Sequence, residues 1–550
     1  MKRAARNATL HFGLIFGIVV CSCVAQEEAS SLPPGDAQNT KRVENPELLS
    51  FDDLVTLASI AKPERALGTR LGTLLNTPFM HSETTASDVR PHRPNVAGLG
   101  TVLRASLWNI ERGLNFELIR SAVADPGEFV RMAKAEGRLS PRQMEIVQAQ
   151  LATLQDVDIL VLNEVDWGMK RTEYRDVARE LAAALHMNYT YGVEFVEVDP
   201  VFDLGTEQLH LPDAQQDRRL QQDLQVDRQQ YHGLHGTAIL SRYPIARARI
   251  LRLPSCYDWY GEEYKAISKL EQGKRWSAHK VFRERVEREL RQGGRMALMA
   301  EISVPDLPSG EVTIVAPHLE NRCAPSCRVR QIRALLAEVK QDRNPVIIAG
   351  DLNTTSRTNT PTSIRNEITM RVTDYKFWIK QAVSHFHPLG VFQYTLAPVH
   401  YFHGYNDPTA FHLGIFWENR ERLLFKTVEK FRFADNHAFD FRGERQRTKP
   451  PRSRTLADSN QRGGKGFIPT YAFARDFGGL AGRFKLDWFF VKPFIENPRQ
   501  RNQSYRFAPN FPVTMRELNN SVSDRISDHP PMTVDLPLTE TTNLVAGHHP

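Results

Sequence analysis

Seven polar side chains punctuate the apolar runs of this chain where a strand would begin or end: Asn109, Glu164, His318, Asp351, Asn353, Asp487 and His529, the last preceded by Asp528. They stand in Leu107-Trp108-Asn109-Ile110-Glu111-Arg112-Gly113, Leu162-Asn163-Glu164-Val165, Ala316-Pro317-His318-Leu319-Glu320-Asn321, Ile348-Ala349-Gly350-Asp351-Leu352-Asn353, Leu486-Asp487-Trp488-Phe489-Phe490-Val491 and Ser527-Asp528-His529-Pro530. A further segment, Gly236 to Arg242, reads as a core strand and turn without chemistry, and the role of His235 beside it is open. Carboxylates and amides suit a hard cation such as Mg²⁺, which keeps positions for water and a substrate phosphate. Imidazoles beside such a cation can move a proton or hydrogen-bond a phosphoryl oxygen. The inventory suits hydrolysis of a phosphate ester.

Regular elements must bring these residues together. Residues 102–109 alternate as a strand and end at Asn109. Ser140-Pro141-Arg142-Gln143 opens a helix, with Ser as N-cap, Pro in the first turn and Gln closing a capping box. Met144, Val147, Leu151 and Leu154 give that helix one apolar face. Val157 to Leu162 is a nearly continuous apolar run, expected for a strand covered on both faces, and it ends at Glu164. That position makes Glu164 the primary carboxylate for a cation. Residues 173–186 read as a helix, 312–315 as a strand leading to His318, 328–339 as a helix and 346–349 as a strand leading to Asp351. Asp351 and Asn353 are two apart, so they share a strand face unless Gly-Asp-Leu-Asn forms an Asx-type turn.

The order of these motifs resembles the endonuclease/exonuclease/phosphatase superfamily, with its DNase I-like, exonuclease III-like and sphingomyelinase-like members, over roughly residues 100–537. The resemblance implies an α/β fold, a four-layered α/β sandwich with long insertions, and Mg²⁺-dependent cleavage of a phosphoester, Mn²⁺ being the alternative metal. It implies that Glu164 holds the metal with Asn109, Glu111 and Asp528, and that Asp351 orients or deprotonates the attacking water. Asn353 would bind the phosphate, and His318 would bind it or assist the leaving oxygen. Asp487 would pair with His529 and fix its tautomer. Arg295, ahead of the strand 296–302, also matches the family, and Arg330 near His318 is a phosphate-binding candidate by its charge. One departure stands out: the family usually has Gln before the metal-binding Glu, and this chain has Asn163. A nuclease-type phosphodiesterase is the leading expectation. The alternatives are a sphingomyelinase-like lipid phosphodiesterase or an inositol phosphate phosphatase. A non-catalytic binding module on the same fold is disfavoured by the intact polar set.

At 550 residues, 41% of them hydrophobic, the chain can bury a sizeable core. A formal charge of +7 and a pI near 9.1 fit an anionic partner such as nucleic acid or a phospholipid surface, and no protein partner is inferred. Lys2, Arg3 and Arg6 precede an apolar run from Leu10 to Val20 and small residues up to Ala25, the layout of a secretory signal peptide. Cleavage after Ala25 would give a secreted or periplasmic protein, whereas cleavage before Cys23 would leave a lipid tether there. The expected organisation is a signal peptide (1–25), a flexible linker (26–50), a helical and loop extension (51–99), the catalytic domain (100–537) and a tail (538–550). Insertions are expected near 199–230, 255–292 and 358–465. In the second, Lys280 to Arg291 reads as a solvated helix; the third is a place for substrate choice to reside. Its histidines His385, His387, His400, His403, His412 and His437 fit no short metal-ligand spacing. Export permits disulfides, and Cys323 is expected to pair with Cys327 across Ala324-Pro325, leaving Cys256 as a free thiol.

Overall fold

Two β-sheets pack face to face in the computed structural model, with helices on both outer faces. The structure describes residues 45–60, 62–82, 90–198, 226–264, 289–354, 412–414, 417–418, 420–440, 462–463, 466–472, 483–494, 506–508, 510–523 and 525–539. The expected signal peptide, the Cys23 tether, the linker up to residue 44, most of each insertion and the tail beyond 539 lie outside the described residues. No helix among the described residues is long and apolar enough to cross a membrane.

The strands are β1 (Phe79–His81), β2 (Asn95–Val96), β3 (Gly100–Arg112), β4 (Ile159–Trp167), β5 (Asn188–Glu197), β6 (Leu234–Ser241), β7 (Ile245–Arg252), β8 (Arg291–Gly293), β9 (Met296–Ser303), β10 (Glu311–Pro317) and β11 (Val346–Asp351). Three small ribbons follow, pairing β12 (His412–Gly414) with β13 (Trp417–Glu418), β14 (Arg462–Gly463) with β15 (Gly466–Phe467), and β16 (Tyr471–Ala472) with β17 (Arg483–Phe484). The last strands are β18 (Asp487–Lys492), β19 (Val513–Thr514) and β20 (Met532–Pro537). The first sheet runs β1-β5-β6-β4-β3-β20-β19, with β2 on β3 and β8 on β5; the second runs β18-β11-β10-β9-β7.

Two-residue periodicity sorts the side chains into layers. Leu103, Ala105 and Leu107 of β3 and Ile159 and Val161 of β4 face Leu298, Ala300, Ile314, Ile347, Phe489 and Val491 of the other sheet in one buried cluster. The alternate residues, Trp108, Leu160 and Leu162, pack beneath the helices Phe116–Ala124, Pro126–Ala135, Pro141–Gln155 and Val177–Leu185. On the far side Met299, Val315, Ile348 and Trp488 pack against the helices Pro325–Glu338 and Arg422–Lys430. The order helix–sheet–sheet–helix is the expected four-layered α/β sandwich. Among the described residues only β3–β4 and β10–β11 pair as strands in parallel, and each pair is linked by a crossover containing a helix.

Several expectations are corrected. Residues 45–50 are not a free linker: Leu49 is buried in the core, and the Asn45 side chain accepts the Met80 N–H at 2.9 Å. The expected helical and loop extension (51–99) also contributes a strand, β1, paired antiparallel to β5. Arg291 lies in a buried strand rather than a solvated helix, because its guanidinium is neutralised by Glu197 and Glu289. The helix Arg422–Lys430, within the third expected insertion, supplies core residues Leu424, Phe425 and Val428. Finally, Cys327 bonds Cys256 and leaves Cys323 as the buried free thiol. Cys327 sits in the first turn of the helix Pro325–Glu338, where helical geometry fixes its separation from the preceding loop, and the fold brings the distant Cys256 within a Cα–Cα distance of 6.0 Å.

Candidate active site

The parallel strands β3, β4, β10 and β11 finish at one edge of the sandwich, and the antiparallel partners β6, β18 and β20 start from it. Asn109, Glu164 and Asp351 are therefore delivered near strand C-termini, His318 immediately after β10, Asp487 at the start of β18 and His529 just before β20. A parallel bridge joins His318 to Asp351. Gly350 permits that approach, since a Cβ there would lie 2.0 Å from the Pro317 carbonyl oxygen. Irregular backbone marks the same edge. Glu111, Arg112, Glu164 and Asn353 take φ values of 48°, 68°, 53° and 46°, a left-handed region costly for side chains with a Cβ and common at functional sites.

Asp351 is the hub. Its Oδ2 accepts from Asn109 Nδ2 at 3.2 Å and lies 3.8 Å from His318 Nε2 and 3.9 Å from His529 Nε2. Asn109 Nδ2 also donates to Glu164 Oε1 at 3.2 Å, and His318 Nε2 is 3.9 Å from the same oxygen. The other oxygen of Asp351 accepts the Asn353 N–H at 2.8 Å, so the Asx turn and the site coexist in one residue. The Asp351 N–H donates to Asn163 Oδ1 at 2.9 Å, and Asn163 Nδ2 donates to Thr237 Oγ1 at 3.1 Å. Asn in place of Gln is thus long enough to tie β4 to β11 and β6 beneath the site.

His529 donates from Nδ1 to Asp487 Oδ2 at 2.8 Å, which presents Nε2 to the cluster. The second oxygen of Asp487 is buried without a hydrogen-bond partner. Trp108 Nε1 donates to the His529 carbonyl at 2.8 Å, and Ser527 Oγ donates to the Asn109 carbonyl at 2.8 Å, so the turn carrying His529 is bolted to β3. The Tyr471 ring lies 5.0 Å from that of His529. Asp528 reaches Glu111 through its N–H, 3.0 Å from Oε2.

Glu194 on β5 is a residue that sequence reasoning missed. Fully buried, it meets His318 Nδ1 at 3.2 Å through Oε1, and accepts from Arg295 Nη1 at 2.9 Å and Thr237 Oγ1 at 2.7 Å. The signal for it was an acidic residue within the apolar stretch Tyr191 to Val196, since a buried carboxylate needs charged or hydrogen-bonding partners. Arg295 also packs 2.8 Å from His318 Nδ1. Arg330 is not brought to the cluster: it is exposed on the helix Pro325–Glu338, and its Nη2 donates to Cys327 Sγ at 2.8 Å. Asn353 is near, but its Nδ2 is given to the Leu319 carbonyl at 3.0 Å.

The electrostatics divide the carboxylates. Burial pushes Glu164 up, but His318, His235, Arg112 and His529 outweigh it and hold the group at about 2, ionised at neutral pH. Glu111 is pushed up to about 7, by burial first and then by the Asp528 charge. Asp351 is raised by burial and by Asp487, with His529 and His318 opposing. For His529, burial disfavours the cation, yet Asp487, Asp528 and Asp351 together carry it up to about 10. Ligand atoms of Glu164, His318 and Asp351 lie within 4.8 Å of one another, as do those of Asp351, Asp487 and His529. Oxygen donors of this density, including the buried unpartnered oxygen of Asp487, fit a hard divalent cation.

Carboxylates, amides and two imidazoles thus gather at one strand edge of the sandwich, the candidate site of this chain. The chain belongs to the endonuclease/exonuclease/phosphatase family, whose model matches residues 107–529 and whose members in general hydrolyse phosphoester bonds. No protein of curated function matches it. Among solved structures it is similar to an endonuclease/exonuclease/phosphatase protein from Beutenbergia cavernae (18% identity, 79% of this chain and 71% of that one, TM-score 0.30). It is also similar to the human Nocturnin catalytic domain with bound sulfate (13% identity, 84% and 97%, TM-score 0.32). A third likeness is to the 3′ phosphatase NExo from Neisseria bound to a product DNA hairpin (12% identity, 79% and 99%, TM-score 0.34).

Proposed function

We propose that the protein is a Mg²⁺-dependent phosphodiesterase of nuclease type that works outside the cytoplasm. The observation that carries the catalytic reading is the convergence of Asn109, Glu164, His318 and His529 on Asp351. Glu164 would hold the metal, with Asn109, Glu111 and Asp528 at its margin. When bound, the cation supplies polarisation of a phosphate oxygen and offsets charge on the leaving group. Asp351, its carboxyl raised by burial, accepts the proton of the attacking water. His529, carried up to about 10, is a cation at neutral pH and therefore donates to a phosphoryl oxygen rather than acting as the base. His318, oriented by Glu194, donates on the other side, where charge builds on the departing oxygen.

Plasmid DNA, RNA, sphingomyelin vesicles and inositol phosphates, each offered with Mg²⁺ and with EDTA, test the reading. Metal-dependent nicking of DNA is expected; turnover of the lipid or inositol arm alone moves the substrate elsewhere within the family. Glu164→Gln should lose most turnover and keep its melting temperature, because it removes one ligand charge at nearly constant volume. Full Mg²⁺-dependent turnover in that variant would overturn the assignment. The N-terminal layout and the Cys256–Cys327 disulfide support export. Mass spectrometry of the mature chain should find Gln26 first, or a lipid-bearing Cys23, and a retained Met1 would refute export.

A further inference from the structure

Three consecutive residues, Thr470-Tyr471-Ala472, meet the Asp487–His529 pair from outside the motifs that carry it. Thr470, fully buried just before β16, accepts the N–H groups of Leu486 and Asp487 on its one hydroxyl oxygen, each at 3.0 Å. Tyr471 sets its ring 5.0 Å from the imidazole of His529. Ala472 donates its N–H to the Asp528 carbonyl at 3.2 Å, and its own carbonyl accepts from the Arg525 guanidinium.

These contacts cross from one sheet to the other. Asp487 opens β18 of the second sheet, whereas His529 stands just before β20 of the first. On the Asp487 side, Leu352 donates its N–H to the Leu486 carbonyl at 2.9 Å, and the Thr354 hydroxyl donates to the Lys485 carbonyl at 2.8 Å. On the His529 side, Trp108 and Ser527 fasten the turn to β3. The 2.8 Å bond between Asp487 and His529 therefore needs the two edges held at one spacing, and Thr470-Tyr471-Ala472 is attached to both. One oxygen of the Asp487 carboxylate has no hydrogen-bond partner, so the aim of the other depends on where the backbone puts the residue. A threonine that served only its own turn would bond within a few residues of itself. Thr470 instead reaches 16 and 17 residues along the chain, to the backbone of the residue that fixes the imidazole.

We propose that Thr470 is a positioning residue of the active site, its hydroxyl oxygen setting the backbone of Asp487 so that the carboxylate meets His529 Nδ1. The role in turnover rests on the phosphodiesterase reading above; the geometric role does not. A misplacement of about 1 Å by a residue away from the chemistry can cost about 10²-fold in rate.

Thr470→Val keeps the shape and removes the acceptor, and Thr470→Ser keeps the acceptor. Stability alone does not separate positioning from packing, because two buried N–H groups lose their partner in either case. The readout is the downfield proton NMR signal of the His529 imidazole N–H, assigned by its loss in Asp487→Asn, together with kcat and KM for Mg²⁺-dependent nicking of plasmid DNA. Thr470→Val is expected to lose the signal and about 10²-fold in kcat with KM little changed, and Thr470→Ser to restore both. A folded Thr470→Val that keeps the signal or the wild-type kcat would overturn the proposal, as would a wild type without the signal or a Thr470→Ser that restores neither. Should Thr470→Val fail to fold, Thr470→Cys, of similar size but only a weak acceptor, replaces it under the same outcomes. If the wild type nicks no DNA, the nuclease reading alone falls, and the NMR signal still decides for or against Thr470.

Discussion

Glu111 and the Asp487–His529 pair show how single residues set the working range of the site. The Glu111 carboxyl is pushed up to about 7, by burial and then by the neighbouring Asp528 charge. It is therefore neutral below that pH, and on the proposed metal-dependent reading an incoming cation would displace its proton. Apparent Mg²⁺ affinity should fall by up to tenfold per pH unit below about 7 and level off above it. Calorimetry at pH 6 and pH 8 measures this, and Glu111→Gln should flatten the profile; an unchanged slope in the variant would assign the proton to another group. The Asp487–His529 bond of 2.8 Å makes those two residues one device. Positioned acid–base help of this kind contributes roughly 10²–10⁴ in rate, so His529→Ala should lose about that factor. Asp487→Asn should lose a similar one, since the ring is no longer held or charged. The double variant should be little worse than the worse single one. Losses that multiply would mean that the two side chains act separately in turnover.

At the scale of elements, the disulfide makes the clearest prediction. Cys256 precedes the short helix Trp259–Tyr264, and the bond pins that segment to the helix Pro325–Glu338, beside the loop that follows His318. Trp259 Nε1 donates to Glu320 Oε2 at 2.9 Å in the same contact. Peptide mapping should recover a Cys256–Cys327 linkage, with Cys323 alkylated only on unfolding. Cys256→Ser should cost roughly 2–4 kcal/mol of stability. The pairing was not legible in the sequence, because the partners are 71 residues apart and only tertiary packing joins them. Proximity in sequence had favoured Cys323, whose thiol instead contacts the Glu320 carbonyl at 3.4 Å. Elements with a local cause read well: the Ser140 capping box and the apolar face of Val147, Leu151 and Leu154 form as their spacing demands. The strand end at Asp351 was legible for the same reason, a polar residue closing an apolar run, whereas β3 and β4 run on past Asn109 and Glu164 to Arg112 and Trp167. Glu194 carried only a faint local mark, an acid within the apolar stretch Tyr191 to Val196, and its partners depend on a register slip between β5 and β6 that no local pattern encodes.

The whole molecule depends on a segment that reads as peripheral. Residues 45–82 bury Leu49, Leu54, Leu57, Leu71, Leu74 and Phe79 in the same cluster as the helices over the first sheet. The Ser50 capping box starts the helix Phe51–Ser59, the helix Arg65–Asn76 follows, and β1 then pairs with β5 from Phe79 to His81. Burying an apolar side chain of this size contributes ~1.5–3 kcal/mol, so these side chains together contribute roughly 10–20 kcal/mol. That is of the same order as the whole net stability of a folded domain, about 5–15 kcal/mol. Removing the segment would also bare the backbone edge of β5 at Tyr189–Tyr191, a template for association with other chains. The same strand carries Glu194, which contacts His318, so damage at this edge reaches the candidate site. A chain beginning at Arg90 should therefore show no cooperative melting transition and should aggregate in size-exclusion chromatography, while a chain beginning at Asn45 should melt cooperatively. If the Arg90 chain melted cooperatively within a few degrees of the longer one, the segment would be an appendage, and the catalytic sandwich would be complete from β2 onward.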